Sequence, residues 1–307
     1  MLLAAFSLLS LGGALVFYDF WYRFGGRFDS AAFLESYGQR VLLTYDDGPA
    51  SSVAGWSHSR ADIDAMREMI LLSDPAWNFD QSTTQNLLRV LAEFNIHAVF
   101  FVRGDVLELD SEARSTLVAI RNAGHEIGNH CYGHARLEGI SPRESIDEIL
   151  RTDNLIRETS GLNPCLFRPP YGRWHIFRVL LGWMEPLLKH YCLPVGWTHS
   201  TADWDRTMED ISPSALDESV TKMINDLRSS ASGSVLLQHD VWVYSVLFTR
   251  TLLRKIAEDN EISVLPPAEF VEHAMKITAS SRASLLLGYY FKSRLLALRK
   301  RYVERHG

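Results

Sequence analysis

Cysteine is scarce in this 307-residue chain. Cys131, Cys165 and Cys192 are odd in number and form no Cys-x-x-Cys pair. They specify neither a disulfide framework nor a thiolate zinc site. Positive charge is short as well: 31 Lys and Arg stand against 37 Asp and Glu, a net charge of −6. A nucleic-acid-binding surface is basic, so nucleic acid is not an expected partner. No repeat of fixed period and no low-complexity tract is present. The composition, 47% apolar and 22% charged, is that of an ordinary folded protein with enough apolar matter for a sizeable core.

Against that ordinary background the run Thr44-Tyr45-Asp46-Asp47-Gly48-Pro49 stands out, read together with His130 and His134. Two neighbouring carboxylates in a partly buried place are unfavourable unless a cation or a proton compensates them. Val41 to Tyr45 is a short apolar, β-prone stretch, and Gly48-Pro49 ends it with turn chemistry. The acids therefore stand where a strand opens into a loop, a usual place for catalytic groups in an α/β barrel. An Asp and two His suit a catalytic zinc that keeps one position open for water. Asp47, His130 and His134 are the expected ligands, and Gly133 eases an irregular backbone beside the second His. Co2+ or Ni2+ fits the same donor set.

Downstream the chain alternates. Leu87, Leu88, Leu91 and Phe94 form a helical stripe from near Ser82, followed by a buried strand at Ala98–Val102. A helix with Leu117 and Ile120 leads to Gly124 and a short strand, His125–Gly128. Pro142 opens a helix that ends near Gly161. Further strands are expected at Leu166–Arg168, Val195–Thr198, Val235–Gln238 and Ile262–Leu265. Such alternation implies a mostly parallel sheet, with the chemistry-bearing residues at one rim.

Five segments in order resemble the polysaccharide deacetylase family (the NodB-homology domain of family 4 carbohydrate esterases). Thr44–Pro49 is similar to its first motif, with Tyr45 replacing Phe. His130-Cys131-Tyr132-Gly133-His134 resembles the second, with Cys131 at a Ser/Thr position. Arg168-Pro169-Pro170-Tyr171-Gly172 resembles the third. Asp203-Trp204 matches the end of the fourth, whose first Asp is here Ser200, and Val235–Asp240 resembles the fifth. Together they span Arg40 to Phe270. The resemblance implies an α/β fold, a distorted and incomplete (β/α) barrel.

The resemblance also implies roles. Asp46 is the expected general base, acting on water whose pKa a zinc ion lowers. A backbone N–H near Tyr171 is implied to help hold the developing oxyanion. His239 is the expected general acid, oriented by Asp203, with Trp204 walling the pocket. Arg168 is expected to hold Asp46 charged and oriented through a bidentate pair. The expected reaction removes N-acetyl groups from amino sugars of a polysaccharide, an oligosaccharide or a lipid-linked glycan. An O-acetyl esterase or a deformylase uses the same machinery, and a catalytically silent carbohydrate-binding or scaffold protein is the alternative from another class. Retention of Asp46, Asp47, His130, His134 and His239 argues against silence.

The domain is expected over residues 38–275, with further segments at both ends. Residues 1–22 carry no charge before Asp19 and end in Phe20-Trp21-Tyr22, nearly long enough to span a bilayer. A secretory leader would carry a basic n-region, which is missing, so the expectation is a membrane anchor; a cleaved leader and a buried helix are the alternatives. Arg23 and Arg27 would leave the domain in the cytoplasm. Many members of the family act outside, and the side stays open. Residues 276–307 read as an amphipathic helix, with Phe291, Leu295, Leu298 and Tyr302 on one face and basic side chains on the others. It suits an anionic bilayer surface or the domain itself. Finally, an insert at about 50–82, with Trp56, His58 and Trp77, is longer than ordinary loops and is expected as a substrate-facing lid or a surface excursion.

Overall fold

The computed structural model describes residues 34–50, 58–173, 191, 194–230, 232–259 and 261–280. The strands are β1 (Arg40–Asp46), β2 (Val99–Val102), β3 (Glu126–Asn129), β4 (Leu166–Phe167), β5 (His199–Ser200), β6 (Ser234–His239) and β7 (Ser263–Val264). The helices are α1 (Arg60–Ala65), α2 (Arg67–Ser73), α3 (Thr83–Glu93), α4 (Gly104–Leu109), α5 (Ser111–Asn122), α6 (Pro142–Ser160), α7 (Pro213–Ser229), α8 (Val243–Glu258) and α9 (Pro267–Ser280).

All strands run parallel, in the order β4-β3-β2-β1-β6-β5. β1 is the hub. β6 pairs with it from Val41↔Ser234 to Asp46↔His239, while β7 pairs with its first residues and β2 with its last. Among the described residues no ladder joins β4 to β5; a single bridge, Phe167 to Pro194, stands there. This is the incomplete barrel expected from the sequence.

Side-chain alternation along β1 divides the core. Val41, Leu43 and Tyr45 point outward into the layer of helices, with Leu87, Val90 and Leu91 of α3 and Val246 and Leu252 of α8. Leu42 points inward with Val99, Phe101, Leu166 and Val235, and Leu34, Tyr37 and Phe270 close that cluster. Thr44 and Asp46 continue the inward face of β1 toward its C-terminal end. The barrel interior is thus apolar at the start of the strands and polar at their ends, which is where a parallel barrel carries its site.

The expected helices form where their start and stop signals lie. Ser82 and Ser141 each close a capping box, with Gln85 and Glu144, and Gly161 ends α6 in the left-handed region at φ 73°. One expected strand moves. Val195–Thr198 is not in a ladder, and β5 starts at His199. The carbonyls of Val195 and Gly196 instead accept hydrogen bonds from the Arg168 guanidinium at 3.0 Å each.

The insert is built into the fold from residue 58 on. Met66, Ile70 and Trp77 are buried in the main core, and the fully buried Asp74 carboxylate pairs with Arg89 of α3 and Arg250 of α8. Residues 58–82 are no surface excursion. No helix among the described residues is long and apolar enough to cross a membrane. The expected anchor at 1–22 lies outside the described residues, as do residues 281–307 of the expected C-terminal helix, α9 ending at Ser280.

A histidine below the apolar end of the sheet gives the fold a defined acid response. His125 is buried, and its Nδ1 accepts a hydrogen bond from Ala98 N–H at 3.2 Å. Burial, with His97 beside it, pushes the imidazole from 6.5 down to about 4. The unfolded chain therefore takes up the proton first as pH falls. The contribution is complete above pH 6.5 and is lost toward pH 4, about 3 kcal/mol in all. Urea unfolding between pH 7 and 4 should show His125→Gln with a shallower loss of stability than the wild type. Equal slopes would dismiss this residue as the source.

Candidate metal centre and active site

Five strand ends deliver the side chains. β1 presents Asp46 and Asp47, β3 runs into His130, β4 into Arg168, the turn after β5 carries Asp203, and β6 ends in His239. Because Asp46 and His239 are register partners on adjacent parallel strands, their side chains leave the same face.

Asp47, His130 and His134 come together, each with one donor atom within 4.8 Å of the others. His134 Nε2 is 3.3 Å and His130 Nε2 3.6 Å from Asp47 Oδ1. That oxygen is buried and makes no hydrogen bond to any described residue. His130 Nδ1 lies 2.8 Å from the Arg168 carbonyl oxygen. A carbonyl accepts only, so Nδ1 carries the proton and donates it, and Nε2 offers its lone pair. Burial, reinforced by the neighbouring His134, holds His130 well below 6.5; burial also lowers His134. Two neutral imidazoles and a buried carboxylate oxygen lacking a donor fit a divalent transition metal.

Backbone strain gathers at the same place. Asp47 (φ 73°), Cys131 (φ 67°), His134 (φ 56°) and Tyr171 (φ 60°) all occupy the left-handed region without being glycine, and Ala202 (φ 50°) does so beside Asp203. Such conformations persist where surroundings over-determine them, commonly at functional sites.

Arg168 is fully buried inside the barrel. Its Nη1 donates to Asp46 Oδ1 at 2.6 Å and to Thr44 Oγ1 at 2.8 Å. The expected bidentate pair is therefore corrected to a single charged hydrogen bond, since Nε and Nη2 serve the carbonyls of Val195 and Gly196. The guanidinium also lies 4.2 Å over the Phe101 ring. Burial pushes the Asp46 carboxyl up, Arg168 and His239 draw it back, and it rests at about 6.

On the opposite side, Asp203 grips His239 twice, through the backbone N–H at 2.6 Å and through Nδ1 at 2.7 Å. The hydroxyl of Ser245, from α8, donates to the same carboxylate. Burial lowers the His239 imidazole, but Asp203, then Asp47 and Asp46, outweigh it and raise it to about 10. Its Nε2 stands 3.8 Å from Asp47 Oδ2. Trp204 is 53% exposed and meets the His239 ring edge-on at 5.3 Å. Tyr171 is 39% exposed, with its ring 4.6 Å from that of His134. The nine residues expected from the sequence thus surround one cluster.

Sequence reasoning missed the supports. Ser245 supplies a hydroxyl donor to the Asp203 carboxylate, and no motif marks it. Asp240 is buried directly behind the Asp46-Asp47 turn, bonded by Thr84 Oγ1 at 2.7 Å, while Thr84 accepts from Ala50 N–H at 2.8 Å. A Cβ on Gly48 would lie 2.0 Å from the Asp240 carboxylate, so only glycine leaves that seat open. Asp240 closes the fifth motif directly after His239, and that position was the available signal.

The fold and the cluster together define a parallel α/β protein with a candidate mononuclear metal centre inside an incomplete barrel. Residues 35–176, a little under half of the chain, match the pattern of the polysaccharide deacetylase family. The chain is 28% identical over 218 residues to a protein of Bacillus cereus named peptidoglycan-N-acetylglucosamine deacetylase, covering 71% of this chain and 59% of that one. It is 31% identical over 163 residues to a chitooligosaccharide deacetylase of Rhizobium leguminosarum, 51% of this chain and 62% of the relative. The chain thus spans about three fifths of the length of these relatives. The solved chitin deacetylase of Colletotrichum lindemuthianum superposes with a TM-score of 0.57 at 22% identity, covering 76% of this chain and 88% of that one. At that identity the likeness speaks to the fold.

Proposed function

We propose that this chain is a metal-dependent hydrolase that removes N-acetyl groups from the amino sugars of a polysaccharide or oligosaccharide. The observation that carries the reading is the placement of two separately supported proton carriers on either side of one ligand cluster. Asp46 is held by Arg168 and lies 3.6 Å from His130 Nε2; His239 is held by Asp203 and lies 3.8 Å from Asp47. A divalent ion held by Asp47, His130 and His134, zinc or else cobalt or nickel, supplies Lewis acidity and lowers the pKa of water at the site.

The chain's own groups do the rest. Asp46 accepts the proton of the attacking water, and Arg168 fixes its carboxylate toward the cluster. His239, protonated at neutral pH, donates from Nε2 to the departing sugar amine, while Asp203 holds the other ring nitrogen and so the orientation. Trp204 beside His239 and Tyr171 beside His134 are partly exposed and offer aromatic surface to a sugar ring. The names of the relatives support a glycan bearing N-acetylglucosamine, as in peptidoglycan or chitooligosaccharides. A lipid-linked amino sugar belongs to the same proposal, as does association with a membrane through residues 1–22.

The test is acyl release from peptidoglycan, chitooligosaccharides and lipid-linked N-acetyl amino sugars, with O-acetylated and N-formylated analogues alongside. Acetate should appear from at least one N-acetylated glycan, vanish with chelator and return with Zn2+. Release only from an O-acetyl or N-formyl substrate would move the reaction to that bond. Zn2+-loaded protein that binds glycan and releases nothing would make it a silent carbohydrate-binding protein.

A further inference from the structure

We propose that Glu148, in the middle of α6, is a positioning residue for the metal centre, setting the backbone of the loop that carries both histidine ligands. The inference rests on the metal reading above. The loop from His130 to His134 is held in a conformation its residues do not favour, with Cys131 and His134 both at positive φ. Something must fix the groups between them.

The backbone of that stretch is held from β2, from the end of β3 and from two helices; His130 N–H donates to the Val102 carbonyl at 2.9 Å. Cys131 N–H donates to Asn129 Oδ1 at 2.7 Å. The carbonyls of Cys131 and Tyr132 accept from the first amides of α4, Gly104 and Asp105, at 3.0 Å each. The next two amides, Tyr132 and Gly133, converge on one oxygen of Glu148, at 3.1 and 2.8 Å. Two consecutive N–H groups on one anionic oxygen form a small nest, and hydrogen bonds to a carboxylate are stronger than neutral ones.

The Tyr132 side chain is gripped separately. Its hydroxyl donates to Glu108 of α4, and Arg151 of α6 lies 3.6 Å over its ring while bonding Glu108 at 2.6 Å. That clamp fixes a side chain; Glu148 fixes the Cys131–Tyr132 and Tyr132–Gly133 peptide planes, between the two histidines. Rotation of the Gly133 peptide would swing His134 away from Asp47, and Gly133 is the residue of the loop with least resistance to rotation. Glu148 therefore acts on ligand geometry through the backbone between the two histidines, touching neither side chain. Removing such a partner typically costs ten- to a hundredfold in metal affinity.

The experiment titrates the chelator-treated full chain with Co2+, followed by its visible absorption, and with Zn2+ in competition. Glu148→Ala should bind both ions ten- to a hundredfold more weakly, with an altered Co2+ spectrum. Glu148→Gln, which keeps an oxygen acceptor without the charge, should lose less. Glu144→Ala is the control: it breaks the capping box at the start of the same helix without touching the loop, and should bind Co2+ as the wild type does. If Glu148→Ala yields no folded protein, Glu148→Asp, one methylene short of the loop, is judged by the same outcomes. Wild-type affinity and spectrum in the Glu148 variant, or an equal loss in Glu144→Ala, would overturn the inference while leaving the metal site standing. A wild type that takes up neither ion would overturn both.

Discussion

Replacing Asp46 with Asn is expected to lower acyl release by about 10²- to 10⁴-fold while Zn2+ content stays full. Asn has the same shape and still presents an oxygen to Arg168 Nη1, so the 2.6 Å contact survives as a weaker hydrogen bond. What is lost is the capacity to take a proton. Asp47, not Asp46, belongs to the cluster of donor atoms, so ligand binding is spared. Arg168 loses its counter-charge, and a stability loss of about 1–3 kcal/mol should accompany the kinetic effect. Turnover and bound metal are measured on one preparation. Near-normal turnover in metal-loaded Asp46→Asn would take the general-base role away from this residue.

Replacing Arg168 with Met is expected to be the most destabilising single change, about 3–5 kcal/mol. The guanidinium is fully buried and serves Asp46, Thr44 and two carbonyls outside any ladder. Met fills similar space, but it leaves the Asp46 carboxylate buried without a partner and strips donors from Val195 and Gly196. The carboxylate's share can be separated by a double-mutant cycle in urea unfolding. Asp46→Asn should cost less in the Arg168→Met background than alone, because an amide needs no counter-charge. Strictly additive losses would locate the cost in the carbonyls instead.

Much of this site was legible before any coordinates. Adjacent acids after an apolar strand, paired with two histidines, mark a place where charge must be compensated, and Asp47, His130 and His134 do converge. Helix boundaries at Ser82, Pro142 and Gly161 follow from local capping chemistry, which depends on neighbours in sequence. The parts that were not legible depend on neighbours in space. Val195–Thr198 has the composition of a strand, but a buried arginine from the next strand over claims its carbonyls. Ser245 and Glu148 sit on helices as unremarkable polar residues, and their partners lie 42 and about 15 positions away. The insert reads as a long loop because its two helices are only six and seven residues long, too short to show a period, and are held by burial of Met66, Ile70 and Trp77 and by Asp74 with Arg89 and Arg250.

The pairing of Asp46 with His239 also limits how such a protein can change. The two residues are neighbours on one hydrogen-bonded ladder, so their spacing is a property of backbone register and not of side-chain reach. Inserting or deleting one residue within β6 upstream of His239 would turn the histidine to the outer face and bring Gln238 or Asp240 to its inward position. No gradual series of intermediates connects those two arrangements. Length variation in this frame is therefore confined to the connections, and the long insert after β1, placed beyond the last paired residue, occupies a position the ladder leaves free.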